Sequence, residues 1–193
     1  MGKVGKVLCI GGSTGAPTMV SELLSRLPAD LCAPVLVALH LPETVGRSFV
    51  RCLTGRVPFP VRVAENGVRP EPASVYLGPG GMHIGVSPAG RIVLSPKPAE
   101  LHFKPSIDVL FYTAARSFGS GVVAVVLTGL TAKKDAVEGA RAVRRAGGQV
   151  IVLDDPASRF LGMPKAVIEA GAATRVVDAK HLAPAVQEAL ASG

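Results

Sequence analysis

The chain has no tryptophan, and aromatic residues make up only 4% of its 193 residues. That scarcity argues against the stacking platforms that hold single-stranded nucleic acid. No zinc-finger spacing and no RNP-like run is present either. Cysteine is scarce: Cys9, Cys32 and Cys52 stand far apart, with no C-x-x-C pair. Metal or redox use is therefore not expected, and the three are read as small buried hydrophobes or inert thiols. No apolar run approaches the ~18 residues of a membrane span. The run Val7 to Ile10 is too short for a signal-peptide core, so a cytoplasmic address is expected. Acidic residues are outnumbered, 14 against 21 basic, for a net charge of +7. Such a chain suits an acidic partner by electrostatic steering; nucleic acid and a merely solvated basic face are the other readings.

What is present is an apolar fraction of 48%, enough for one globular domain with a sizeable core. The chain is organised around Lys6-Val7-Leu8-Cys9-Ile10-Gly11-Gly12-Ser13-Thr14-Gly15. A short apolar run ends in glycines around a serine. Ala16, Met19, Val20, Leu23, Leu24 and Leu27 then follow at helical spacing. Strand, tight turn and helix are predicted, and Gly11 to Gly15 spell G-x-S-x-G, the pattern of a nucleophile elbow. Free N–H groups and the positive end of the helix dipole would face Ser13. The same turn also suits a phosphate. The full G-x-G-x-x-G is lacking, because Ser13 holds the second glycine position, yet the stretch alone leaves both chemistries open.

Further along, Val35 to Leu39 reads as a strand buried on both faces, ending in His40-Leu41-Pro42. A histidine there either caps the strand or serves a site at the carboxyl edge of the sheet. Residues 44–56 are predicted helical, with Val45, Phe49, Cys52 and Leu53 on one face. Short strands are expected at 61–64 and 75–77, and a hairpin at 83–95, together forming an antiparallel flank. A helix starts at Pro105. Val122 to Leu127 is the most apolar strand, and a helix runs from about Asp135 to Arg145. Strands at 149–153 and 175–177 alternate with helices near 162–171 and 182–191. The pattern predicts an α/β fold of three layers, a doubly wound, mostly parallel sheet with a small antiparallel hairpin flank. No repeat or linker divides residues 1–193.

Ser13, His40 and Asp135 all fall in loops after apolar strands, where a nucleophile, a base and an orienting acid could meet. Their order, Ser, His, Asp, differs from that of α/β-hydrolases. At this point a family emerges. Ile10 to Gly15, Leu39-His40-Leu41-Pro42, Arg47-Ser48-Phe49, Leu77 to Gly80, His83, Lys104 to Phe111, Leu127-Thr128-Gly129 and Gly162-Met163-Pro164 stand in the right order. Through them the chain resembles the catalytic domain of chemotaxis-type protein-glutamate methylesterases, the CheB family. The resemblance implies Ser13 as nucleophile, His40 as base, Asp135 as third member and Thr14 as support for the histidine. The Thr14 backbone N–H is a candidate oxyanion donor. It also implies the substrate, methyl-esterified glutamates on cytoplasmic helices of chemoreceptor-type proteins, with glutamine deamidation as a side activity. No cofactor, metal, nucleic acid or membrane insertion is expected. The other histidines are read as surface or hairpin residues, with His83 near the rim of the site.

Two departures from the family shape the expectations. The run Thr128-Gly129-Leu130-Thr131-Ala132-Lys133-Lys134-Asp135-Ala136 is two residues longer than the family's Thr-Gly-Met-Gly-x-Asp-Gly and lacks the glycines beside the aspartate. Ser13 and His40 are accordingly expected near hydrogen-bond reach, but the Asp135–His40 contact long or absent, giving a weak enzyme. A catalytically weak or inactive module that binds receptors, and a nucleotide-binding α/β protein, are the alternatives. The family's receiver domain has no room before the first strand, so a free-standing or excised catalytic domain is expected.

Overall fold

A computed structural model describes residues 5–130 and 135–192. Lys133 and Lys134 of the lengthened run before Asp135 lie outside the described residues. In chain order the elements are β1 (Val7–Gly12), α1 (Ala16–Ser25), β2 (Val35–Leu39), α2 (Glu43–Leu53), β3 (Val61–Val63) and β4 (Val75–Leu77). There follow β5 (His83–Val86), β6 (Ile92–Ser95), α3 (Ile107–Phe118), β7 (Val122–Val126) and α4 (Val137–Arg145). The last are β8 (Gln149–Leu153), α5 (Gly162–Glu169), β9 (Arg175–Val177) and α6 (Ala179–Ala191).

Seven strands form one sheet in the order β3-β4-β2-β1-β7-β8-β9, and every pairing in it is parallel. The short strands β3 and β4, expected in the antiparallel flank, extend the parallel sheet instead. Only β5 and β6 pair antiparallel, as a separate hairpin. Strand period two divides the core: Leu8 and Ile10 of β1 face one apolar layer with α1 and α6, while Val7 and Cys9 face another with α3, α4 and α5. Both faces of the central strands are covered, which explains their continuous apolar sequence. Residues 44–56 correspond to α2, but Val45 and Cys52 are exposed, leaving Gly46 and Leu53 as its buried residues. Of the three thiols only Cys9 is buried, and burial pushes it well above the ordinary thiol range. No described helix is long and apolar enough to cross a membrane.

β1 occupies the centre of the sheet, flanked by β2 and β7, and the chain winds outward from it in both directions. The loops following these three neighbours therefore emerge side by side at one carboxyl edge, the switch point where ligands bind in such sheets.

Candidate active site

The register of the sheet sets Ser13 and His40 next to one another. Gly12 pairs with Leu39, and the His40 N–H continues the ladder by donating to Gly12 O at 3.1 Å. On the other side, the Ser13 N–H donates to Thr128 O at 2.8 Å. Gly15 then turns the chain at φ 82° as the N-cap of α1, a conformation open to glycine without a Cβ clash. A Cβ there would lie 3.1 Å from Thr128 Oγ1 and 3.2 Å from Phe160. Gly15→Ala is expected to destabilise the fold by about 1–2 kcal/mol, the left-handed penalty of an L-residue. It should also shift the N–H groups of the elbow, so a lower melting temperature and lower turnover are expected together.

His40 and Asp135 are paired. The His40 Nε2–H donates to Asp135 Oδ2 at 2.8 Å, with side chains only 5% and 7% exposed. This corrects the expectation of a long or missing contact, and the reason is local. Helix α4 begins only at Val137, after Ala136, which itself takes the left-handed conformation at φ 83°. The alanine thus makes the turn for which the family employs glycine, and Asp135 stays off the helix. Strain at such an alanine is about 1–2 kcal/mol. Against it stand the bonds to the carboxylate, at about 1.5–3 kcal/mol for each hydrogen bond to a charged group. Besides His40, Asp135 accepts from Ser106 Oγ at 2.8 Å, the Ile107 N–H at 2.7 Å and the Asp108 N–H at 2.9 Å. The acid sits on the N-terminus of α3, where the dipole and unpaired N–H groups favour an anion.

Burial alone would raise the Asp135 carboxyl, but the His40 bond and the Asp108 and Ile107 N–H groups overcome it and hold the carboxyl below its ordinary range. A lowered folded value stabilises the fold above the unfolded one, and this contribution is lost as pH falls through the folded value. An ionised carboxylate only accepts, so Nε2 carries the ring hydrogen and Nδ1 bears the lone pair. His40 Nδ1 is buried and has no hydrogen-bond partner among the described residues. No hydrogen bond joins Nδ1 to Ser13 in the structure, and the support implied for Thr14 is not a hydrogen bond to Nδ1. Thr14 is exposed beside the elbow.

Two neighbours of the pair were not singled out from the sequence. Phe103 stacks on the His40 ring, with centroids 3.9 Å apart and planes 6° from parallel, which fixes the plane of the imidazole. Ser106 caps α3 and bonds Asp135. A serine before an apolar-periodic run is a readable cap signal, whereas the stack of Phe103 has none in sequence. His83 departs from its expected place at the rim: it is 1% exposed, accepts from the Ser106 N–H at 3.0 Å and donates from Nε2 to Pro98 O at 3.0 Å. It holds the start of α3, one residue behind Asp135. His181 is exposed and bonds Asp178, and His102 lies edge-on to Phe103.

A buried carboxylate–imidazole pair with a bare ring nitrogen, beside a serine on a strand-to-helix turn, can take a proton from a hydroxyl during acyl transfer. Known proteins similar to this chain in sequence and fold are named as methylesterases. A family described as CheB methylesterase matches residues 8–186. A protein-glutamate methylesterase/protein-glutamine glutaminase of Nitratidesulfovibrio vulgaris is 36% identical over 95% of this chain and 50% of its own length. One from Myxococcus xanthus is 40% identical over 87% of this chain and 49% of its own. The crystal structure of the Thermotoga maritima CheB methylesterase catalytic domain superposes with a TM-score of 0.89 at 33% identity, covering 95% of this chain and 98% of that one. The chain spans about half the length of the curated relatives it matches.

Proposed function

The chain belongs to the CheB methylesterase family, and from that premise we propose that it is a serine carboxylic-ester hydrolase acting on methyl-esterified glutamates of chemoreceptor-type proteins. The observation that carries the reading is the 2.8 Å bond from His40 Nε2 to Asp135, which leaves Nδ1 as a base beside the elbow. In the first step the Ser13 hydroxyl attacks the ester carbonyl and its proton passes to His40 Nδ1. Asp135 stabilises the imidazolium so formed. The Thr14 N–H is the candidate donor to the oxyanion, a type of contact whose loss costs roughly 2.7–4 kcal/mol. His40 then returns the proton to the leaving methoxide, and methanol departs. Water attacks the acyl-serine while Nδ1 takes its proton, and collapse releases the glutamate and restores Ser13. Glutamine side chains follow the same path with ammonia as the leaving group, in keeping with the second half of the relatives' names.

The formal charge of +7 supports acidic receptor helices in the cytoplasm as the partner. Arg47, Arg51 and Arg56 are exposed on and just after α2, the helix that follows His40. Methanol release from methylated receptor membranes tests the activity: release is expected, and binding without release would instead support a receptor-binding module. Approach by steering predicts that kcat/KM falls as salt rises past the point where screening acts over ~8 Å. A salt-independent kcat/KM would leave the arginines as a solvated face.

A further inference from the structure

Asp108 belongs to no step of the reaction, yet it touches both Asp135 and the first turn of α4, which follows it. Its N–H donates to Asp135 Oδ1 at 2.9 Å, and its Oδ1 accepts from the Gly139 N–H at 2.6 Å. The second bond answers a deficit. The first N–H groups of a helix lack partners within it, and α4 starts from Ala136, which has no side-chain oxygen to cap them. Asp108 supplies the cap from a neighbouring helix. The approach is close enough to need glycine: a Cβ at Gly139 would lie 2.7 Å from Phe111 Cβ and 2.8 Å from Asp108 Cα. Residues 135 and 139 are thus held by the same residue of α3, one by its N–H and one by its carboxylate.

We propose that Asp108 is a positioning residue for the triad, pinning the Asp135 loop through the Gly139 N–H and lending its own negative charge to the His40–Asp135 pair. The inference rests on the esterase reading above. The charged surroundings of Asp108 are mixed. Asp135 faces it from the loop, Glu138 and Arg145 of α4 line the same cavity of about 280 Å³, and Tyr112 of its own helix lies there too. Glu138 is itself paired with Arg141. His83 of β5 stands behind Ser106, and His40 beyond Asp135. Burial, then the charge of Asp135 and side-chain hydrogen bonding with it, then the charge of Glu138, push the Asp108 carboxyl up to about 7 despite the Gly139 bond. The group therefore gains its charge as pH rises through neutrality. Once ionised it adds a second negative charge behind Asp135, favouring the imidazolium that forms in the transition state.

The test compares Asp108→Asn, which keeps an oxygen acceptor for Gly139 but cannot ionise, with Asp108→Ala, which keeps neither. The ratio of wild-type to Asp108→Asn kcat/KM is expected to grow about threefold to tenfold between pH 6 and pH 8.5, as for charges coupled at an effective dielectric near 20. Asp108→Ala should be slower than Asp108→Asn at every pH. In hydrogen exchange the Gly139 amide should stay protected in Asp108→Asn and lose protection about tenfold or more in Asp108→Ala, the effect of losing one hydrogen bond of about 1.5 kcal/mol. A ratio that is flat with pH overturns the role of charge, and a Gly139 amide equally protected in all three proteins overturns the pin. Wild-type protein that releases no methanol at any pH would refute the esterase reading instead, while exchange at Gly139 still decides whether Asp108 holds the loop.

Discussion

Asp135→Asn is expected to lower turnover on methylated receptor membranes by about 10⁴-fold, as in other serine triads that lose the acid's charge. An amide in that place cannot stabilise the imidazolium and, if its NH₂ faces the ring, forces the other tautomer, with the hydrogen on Nδ1 where the lone pair is needed. The substitution also weakens four bonds at once, since Ser106 Oγ, the Ile107 and Asp108 N–H groups and His40 all converge on the carboxylate. Some stability should therefore be lost along with activity. The two losses separate with pH: the kinetic defect persists at the pH of greatest stability, whereas a folding defect would diminish there. Turnover within a few-fold of wild type would mean that the 2.8 Å contact has no part in catalysis.

Ser13→Ala should abolish methanol release and leave the melting curve nearly unchanged. The hydroxyl makes no bond on which the turn depends. The turn is held instead by backbone, the Ser13 N–H on Thr128 O and the Ala16 N–H on Ser13 O, and alanine preserves both. Without a nucleophile no acyl intermediate forms. The oxyanion donors that remain in such sites support only a residual 10³–10⁴-fold over water, roughly six orders below a complete triad. Wild-type release by Ser13→Ala would remove the serine from the mechanism.

Much of this could be read from the chain because it was written in local signals. Continuous apolar runs marked the central strands, and G-x-S-x-G marked the turn, since backbone geometry there dictates residue type. The placement of Ser13 and His40 followed from strand ends alone. Asp135 was harder. Its loop differs in length and composition from the family pattern, and nothing local shows that Ala136 adopts φ 83°. That conformation is sustained by tertiary bonds, the capture of the carboxylate by the N-terminus of α3. Pairing direction was missed for β3 and β4 for a similar cause. The connections between them lack helices, but strands of three residues carry too little pattern to reveal direction. His83 does belong to the hairpin, but its burial was not legible, because its partners, Pro98 O and the Ser106 N–H, lie on segments distant in sequence.

The central claim is that Ser13 is made nucleophilic by the His40–Asp135 pair. The most direct measurement is the rate of covalent labelling by a serine-directed fluorophosphonate, with the modified peptide mapped by mass spectrometry, in wild type and in Asp135→Asn. The account predicts one adduct per chain, on Ser13, forming orders of magnitude more slowly in Asp135→Asn. An adduct on another residue, or labelling of Ser13 at the same rate in both proteins, would contradict it.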